Sequence, residues 1–214
     1  MDLRKHEGIV EAAHLITDVL QEVPQAKQKL ESVGFGTVKC QTGIKLIKTA
    51  EGHLATRLHL EQERWALSQQ INAGLEAVRD EFRHHVKAAR FALQNDSERL
   101  HALNIDQLAS TTWGGVKQAI HFYQQLQQQN VSLEAFGVSA ISIQNALTTA
   151  TQLLQQKRMR IQKKGLAQQN TREVREAVAA LREWVVEFRA NARLAYRQKP
   201  QMLEMFGIRV KTSV

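Results

Sequence analysis

Three residue pairs in this chain have a spacing that could hold a metal: Glu11/His14, Glu81/His84 and Glu98/His101. Residues three apart share one helix face, so Glu-x-x-His can grip one ion, as in carboxylate-bridged di-iron bundles. Such a centre also needs two single glutamates on other helices, all facing inward. Glu31, Glu51 and Glu61 are available, but no pattern singles them out. Glu98/His101 falls on a short capping segment, and the second half of the chain has no such pair at matching positions. The sequence therefore predicts no metal site and no cofactor, with Glu11, His14, Glu81 and His84 as the positions to inspect. Cys40 reads as a small core residue rather than a nucleophile. His85 occupies a core position in a helical stripe and reads as a neutral histidine, partly buried, with one hydrogen bond. No nucleophile stands at readable spacing from a base, and there is neither a P-loop nor a dinucleotide fingerprint. Nothing in the sequence supports catalysis, and the expectation is a protein that is not an enzyme.

Charge offers the one functional hint. The net charge is +8, unevenly spread. Residues 1–107 carry 14 Lys+Arg and 15 Asp+Glu, net −1, whereas residues 108–214 carry 15 and 6, net +9. Lys157, Arg158, Arg160, Lys163 and Lys164 form one basic run. Arg175, Arg182 and Arg189 recur every seven residues beside a core stripe and form a row on one helix face. An antiparallel hairpin would bring the run close to the start of that row. These eight residues are the expected partner-binding patch, suited to nucleic-acid phosphates, anionic lipid or an acidic protein. Glu173, Glu176, Glu183 and Glu187 lie on the same helix and can neutralise much of the row. The run lacks base-stacking aromatics, so nucleic-acid binding there would be directed at the backbone and sensitive to salt. No Trp/Phe-rich face is left over for a membrane surface.

These residues must be positioned by helices. The chain has 214 residues, 43% of them hydrophobic, and only two prolines, Pro24 and Pro200. Ala, Leu, Gln, Glu and Arg dominate, all good helix formers, and no alternating strand pattern has useful length. The opening Met-Asp-Leu-Arg-Lys-His-Glu lacks a signal-peptide apolar run, and no stretch approaches the roughly 20 apolar residues of a membrane span. The single cysteine fits a reducing compartment, so a cytoplasmic location is expected.

The chain also resembles itself at an offset of 103: Ala89–Ile105 lies over Ala192–Ile208, Leu30–Gly34 over Leu133–Gly137, and Ala77–Asp80 over Ala180–Glu183. Ala66–Gln70 resembles Gly165–Gln169 at an offset of 99, which places a four-residue length change in a turn after each pair of glutamines. A smaller signature is Leu, then Gly or Asn four residues on, then an apolar residue. It occurs at Leu30/Gly34/Phe35, Leu100/Asn104/Ile105, Leu133/Gly137/Val138 and Leu203/Gly207/Ile208. That spacing predicts helices ended by a Schellman motif.

Each repeat unit is then expected to hold five helices. The first runs near 6–22 (107–129), a short capped one near 25–33 (132–136), and a long one near 38–69 (139–168). A return helix near 73–94 (171–197) and a short closing helix ending at Ile105 (Ile208) complete the unit. Asn170 with Glu173 would cap the second return helix. The stripe Val174, Val178, Leu181, Val185, Phe188, Ala192 and Ala195 is answered by Leu75, Val78, Phe82, His85, Ala89 and Ala92. The long helices lose their stripe at Glu61–Arg64 and Gln162–Lys164, which are expected as hairpin tips in solvent.

The sequence thus predicts an all-α bundle of antiparallel helices, duplicated as repeat unit 1 (1–106) and a more basic repeat unit 2 (107–214), like a fused homodimer. The expected role is a non-enzymatic scaffold or interaction protein that binds another protein or a second copy of itself. Backbone-directed nucleic-acid binding through the second unit, or a metal-binding bundle enzyme, are the alternatives.

Overall fold

A computed structural model describes residues 3–210, and these are all-α with no strand. The helices are α1 (Leu3–Glu22), α2 (Pro24–Glu31), α3 (Thr37–Ala92), α4 (Ser97–Ala102), α5 (Thr112–Gln128) and α6 (Ala140–Ala195). Two 3₁₀ segments, Glu134–Phe136 and Pro200–Phe206, complete the set.

Local chemistry sets most of the boundaries. Pro24 and Pro200 sit in the first turns of their helices, where a missing N–H costs nothing. Asp96 caps α4 by accepting from the Arg99 N–H, and Thr111 caps α5 by accepting from the Gly114 N–H. At the C-terminal ends, Gly34, Gly137 and Gly207 have φ of 88°, 78° and 68°, and Asn104 has 52°. In the three glycine turns the next apolar residue bonds back to its leucine: Phe35 to Leu30, Val138 to Leu133, and Ile208 to Leu203. A fifth turn follows the same signature at Leu126/Asn130/Val131, where the Val131 N–H donates to the Leu126 carbonyl at 3.0 Å. It ends α5.

The expected hairpins are not there. α3 and α6 are each one continuous helix of 56 residues, covering both the long and the return segments. Neither contains proline, and Asn72, Gly74 and Asn170 inside them lower helix propensity without forbidding it. The four-residue length change at offset 99 disappears with the turns, because both helices have the same length and begin 103 residues apart. Asn170 caps nothing and lies in mid-helix. Residues 61–64 and 162–164 are not tips either, since Lys163 Nζ donates to Glu63 Oε2 at 2.6 Å.

The chain packs as two compact units: residues 1–60 with 166–214, and residues 61–165. These cut across the expected repeats 1–106 and 107–214, for each unit takes the first half of one expected repeat and the second half of the other. In the first unit, the start of α3 runs antiparallel to the end of α6. Lys39 Nζ donates to Glu187, Trp184 Nε1 donates to the Lys39 carbonyl at 2.8 Å, and His53 stands 3.4 Å from Glu173. Its core joins Ile16, Leu30, Phe35, Val174, Leu181, Trp184, Phe188 and Phe206. In the second unit, the end of α3 runs antiparallel to the start of α6, with α5 and α4 completing a core of Val78, Phe82, Leu103, Phe122, Tyr123, Leu133 and Leu153. The predicted stripes are buried in both: Val174, Val178, Leu181, Val185, Phe188 and Ala192 in the first, Val78, Phe82, His85 and Ala89 in the second.

The division also redistributes charge. The first unit carries 17 Lys+Arg against 12 Asp+Glu, net +5; the second carries 12 against 9, net +3. The contrast of −1 and +9 between sequence halves belongs to the linear chain and not to the packed units.

Candidate functional site

The residues predicted to bind a partner all lie on α6, in sequence order along one helix rather than across a hairpin. Lys157, Arg158, Arg160, Lys163 and Lys164 belong to the second unit, whereas Arg175, Arg182 and Arg189 belong to the first. Arg158, Arg160 and Lys164 are exposed and have no ion-pair partner among the described residues. The other two cations of the run are engaged. Lys163 pairs with Glu63, and the Lys157 ammonium lies 4.5 Å from the Trp113 ring centroid. Within the row, Arg175 and Arg182 are exposed while Arg189 is half-buried. Two of the glutamates expected to neutralise that row are occupied elsewhere, Glu187 by Lys39 and Glu173 by Gln169 and His53.

The basic run is more apolar on its surface than charge alone suggested. Met159 is 43% exposed and Ile161 61%, so Arg158–Ile161 alternates cation and hydrophobe in solvent. In the same unit Trp65 is 69% exposed. Large apolar side chains left in solvent beside unpaired cations are candidates for contact with a partner. Sequence reading missed all three, because an apolar residue among charges looks the same whether it points in or out.

The histidine pairs do not assemble a metal centre. His14 Nε2 bonds Glu51 Oε1 at 2.7 Å, while Glu11 is exposed. Glu81 and His84 are exposed in the other unit. His101 bonds Asp106 at 2.8 Å rather than sharing a ligand with Glu98. Among the described residues no three His, Cys, Asp or Glu side chains are grouped to hold an ion.

His85 is 3% exposed and has two partners where one was expected: Nδ1 lies 3.1 Å from the Tyr123 hydroxyl and Nε2 3.3 Å from the Ser142 hydroxyl. A hydroxyl can donate or accept, so a neutral ring is satisfied in either tautomer. Burial, and then the neighbouring His84, push its pKa below the usual 6.5. Burial, and then Glu81, hold the Tyr123 phenol well above its ordinary value. Cys40 is half-buried against the first core, and its thiol is pushed up chiefly by burial, the opposite of an activated nucleophile.

No family model, curated protein or solved structure matches the chain. No described helix is long and apolar enough to cross a membrane.

Proposed function

We propose that the chain is a non-catalytic interaction protein, a helical scaffold that binds an acidic protein surface through α6 in its second unit. The observation that carries this reading is Arg158–Ile161, where two unpaired guanidinium groups alternate with two exposed hydrophobes. Such a mixture gives electrostatic steering together with apolar area to remove from water. Lys164 extends the cationic side. The test is partner capture with the full chain and with an Arg158→Gln/Arg160→Gln/Lys164→Gln variant, each checked for helicity. The expected outcome is one partner set lost from the variant and weakened by salt. Identical capture by both proteins would overturn the reading.

A second reading, backbone-directed nucleic-acid binding, gains support from Trp65. It is an exposed ring two residues along α3 from Glu63, the partner of Lys163 in the run, and one stacked base is worth about 1–3 kcal/mol. Anisotropy titration of a labelled single strand separates the two. Nucleic-acid binding requires a steep salt slope that flattens in the triple variant, and weaker binding by Trp65→Ala. We infer as well that the chain is a duplicated unit whose halves have exchanged partners. The supporting observations are the equal lengths of α3 and α6 and the recurrence of the turns at Gly34/Gly137 and Asn104/Gly207 at one offset.

A further inference from the structure

The second unit contains a cavity of about 320 Å³ between the last third of α3, the linker before α5 and the start of α5. That volume lies at the lower end of small-molecule sites. Leu75, Val78 and Phe82 from α3 and Val116 from α5 supply its apolar lining. Arg79 and Arg83 also line it. They are four residues apart and so share a helix face. Both are exposed, and neither has a partner among the described residues. Glu76 contributes the only lining carboxylate, leaving the rim net positive. Ser110 and Thr112 add hydroxyl groups.

The wall opposite α3 is held in place. Gln118 is 8% exposed, and its amide ties down the linker. Its Oε1 accepts from the Ala109 N–H at 2.9 Å, and its Nε2 donates to the carbonyls of Asn104 and Gln107 at 2.6 and 2.7 Å. A loop fixed by one buried side chain gives a cavity that exists before any ligand arrives, which lowers the ordering cost of binding. Positions 103 residues away keep the apolar residues and one arginine, Arg182 for Arg79, but not the pair of cations or the buried amide, since Arg83 corresponds to Val186 and Gln118 to Leu15.

We propose that this cavity binds a small organic anion with an aromatic body and one carboxylate, the ring against Phe82 and Val116 and the carboxylate on Arg79 and Arg83. Guanidinium groups match carboxylates by two parallel hydrogen bonds, and a cavity apolar on one side and cationic on the other selects a ligand divided in the same way. The site shares no residue with the exposed face on α6, so the two readings stand or fall separately.

The test uses 1-naphthoate and its neutral twin, 1-naphthalenemethanol, titrated calorimetrically into the full chain. Saturable one-to-one binding of naphthoate is expected, with the alcohol weaker by roughly tenfold or more. Arg79→Gln/Arg83→Gln removes that preference without disturbing the fold, because both side chains are exposed. Ser110→Trp, at an exposed position on the lining, blocks both compounds. No saturable binding, equal affinity for acid and alcohol, or naphthoate binding unchanged in either variant would each overturn the proposal.

Discussion

Positions 103 residues apart fill the two units differently although the helices holding them match in length. In the first unit Gly43 on α3 faces Trp184 on α6; the corresponding residues of the second unit are Ala146 and an exposed Glu81. In the second unit Gly74 faces Leu153, where the first has two alanines, Ala177 and Ala50. The aromatic load moves too. The first core draws rings from turn and closing segments, Phe35 and Phe206, which meet Phe188 at 5.2 and 5.0 Å. The second draws Phe122 and Tyr123 from α5, with Val138 and Leu103 where the first has phenylalanines. The lesson is that a large side chain on one long helix needs a glycine facing it on the other, as in the pairings of Trp184 with Gly43 and Leu153 with Gly74, because a close-packed interior has no spare room.

The largest expected effect follows from that pairing. A Cβ on Gly43 would stand 2.2 Å from Cζ2 of Trp184, inside the indole. The ring cannot retreat easily, being buried and tied through Nε1 to the Lys39 carbonyl. Gly43→Ala should destabilise by about 3 kcal/mol, beyond the ~1 kcal/mol that alanine gains in helix propensity. At Gly74 the new Cβ would meet Cδ2 of Leu153 at 2.6 Å, the end of a side chain that can change rotamer. Gly74→Ala should be near neutral. Urea unfolding of the two variants measures the contrast, and equal losses would break the comparison.

The next effect sits where polarity differs. The buried pair His85 and Tyr123 in the second unit corresponds to Phe188 and Leu20 in the first. His85→Phe should cost about 2 kcal/mol, because it strands the Tyr123 hydroxyl in the core. Adding Tyr123→Phe removes the stranded group and should recover most of the loss. The pH dependence sharpens this. The folded pKa of His85 lies below the unfolded value of 6.5, so between them the unfolded chain binds the proton more readily. Its contribution to stability is therefore complete above pH 6.5 and is lost as pH falls toward the folded value. The difference in unfolding free energy between wild type and the double variant should carry that slope, and a difference independent of pH would refute the assignment.

The stripes and the glycine turns were legible because each is a local requirement: a helical period, or a left-handed φ at a helix end. The union of the long and return segments was not. At residues 61–64 and 162–164 the apolar stripe thins, which in sequence resembles a tip leaving the core. In the structure it accompanies a stretch of the second unit where Leu67 is buried outside the main core and Glu63 meets Lys163. The make-up of the packed units was hidden for a related reason. Lys39 with Glu187 joins residues 148 apart, and no local pattern encodes that pairing. The basic run and the arginine row are plain in the sequence, but their division between the two units was not, since that depends on the same distant pairing. The exposure of Trp65 escaped because side-chain direction on a polar stretch has no period to betray it.

Asn170 misled for a reason that can itself be tested. Asparagine is a favoured N-cap, and Glu173 three residues on completed the pattern. Yet Asn170 is 4% exposed in mid-helix, and neither Nδ2 nor Oδ1 has a protein hydrogen-bond partner. Its counterpart 103 residues earlier, Leu67, is buried and apolar. An unmet buried amide costs about 1–3 kcal/mol, part of which added side-chain bulk would offset. Asn170→Leu should therefore stabilise the chain by about 1 kcal/mol, the smallest of the three effects and the only gain. Thermal unfolding reads it directly. A loss of stability instead would mean that the amide is satisfied by buried water, and the two helices would then differ at this level in hydration as well as in side chain.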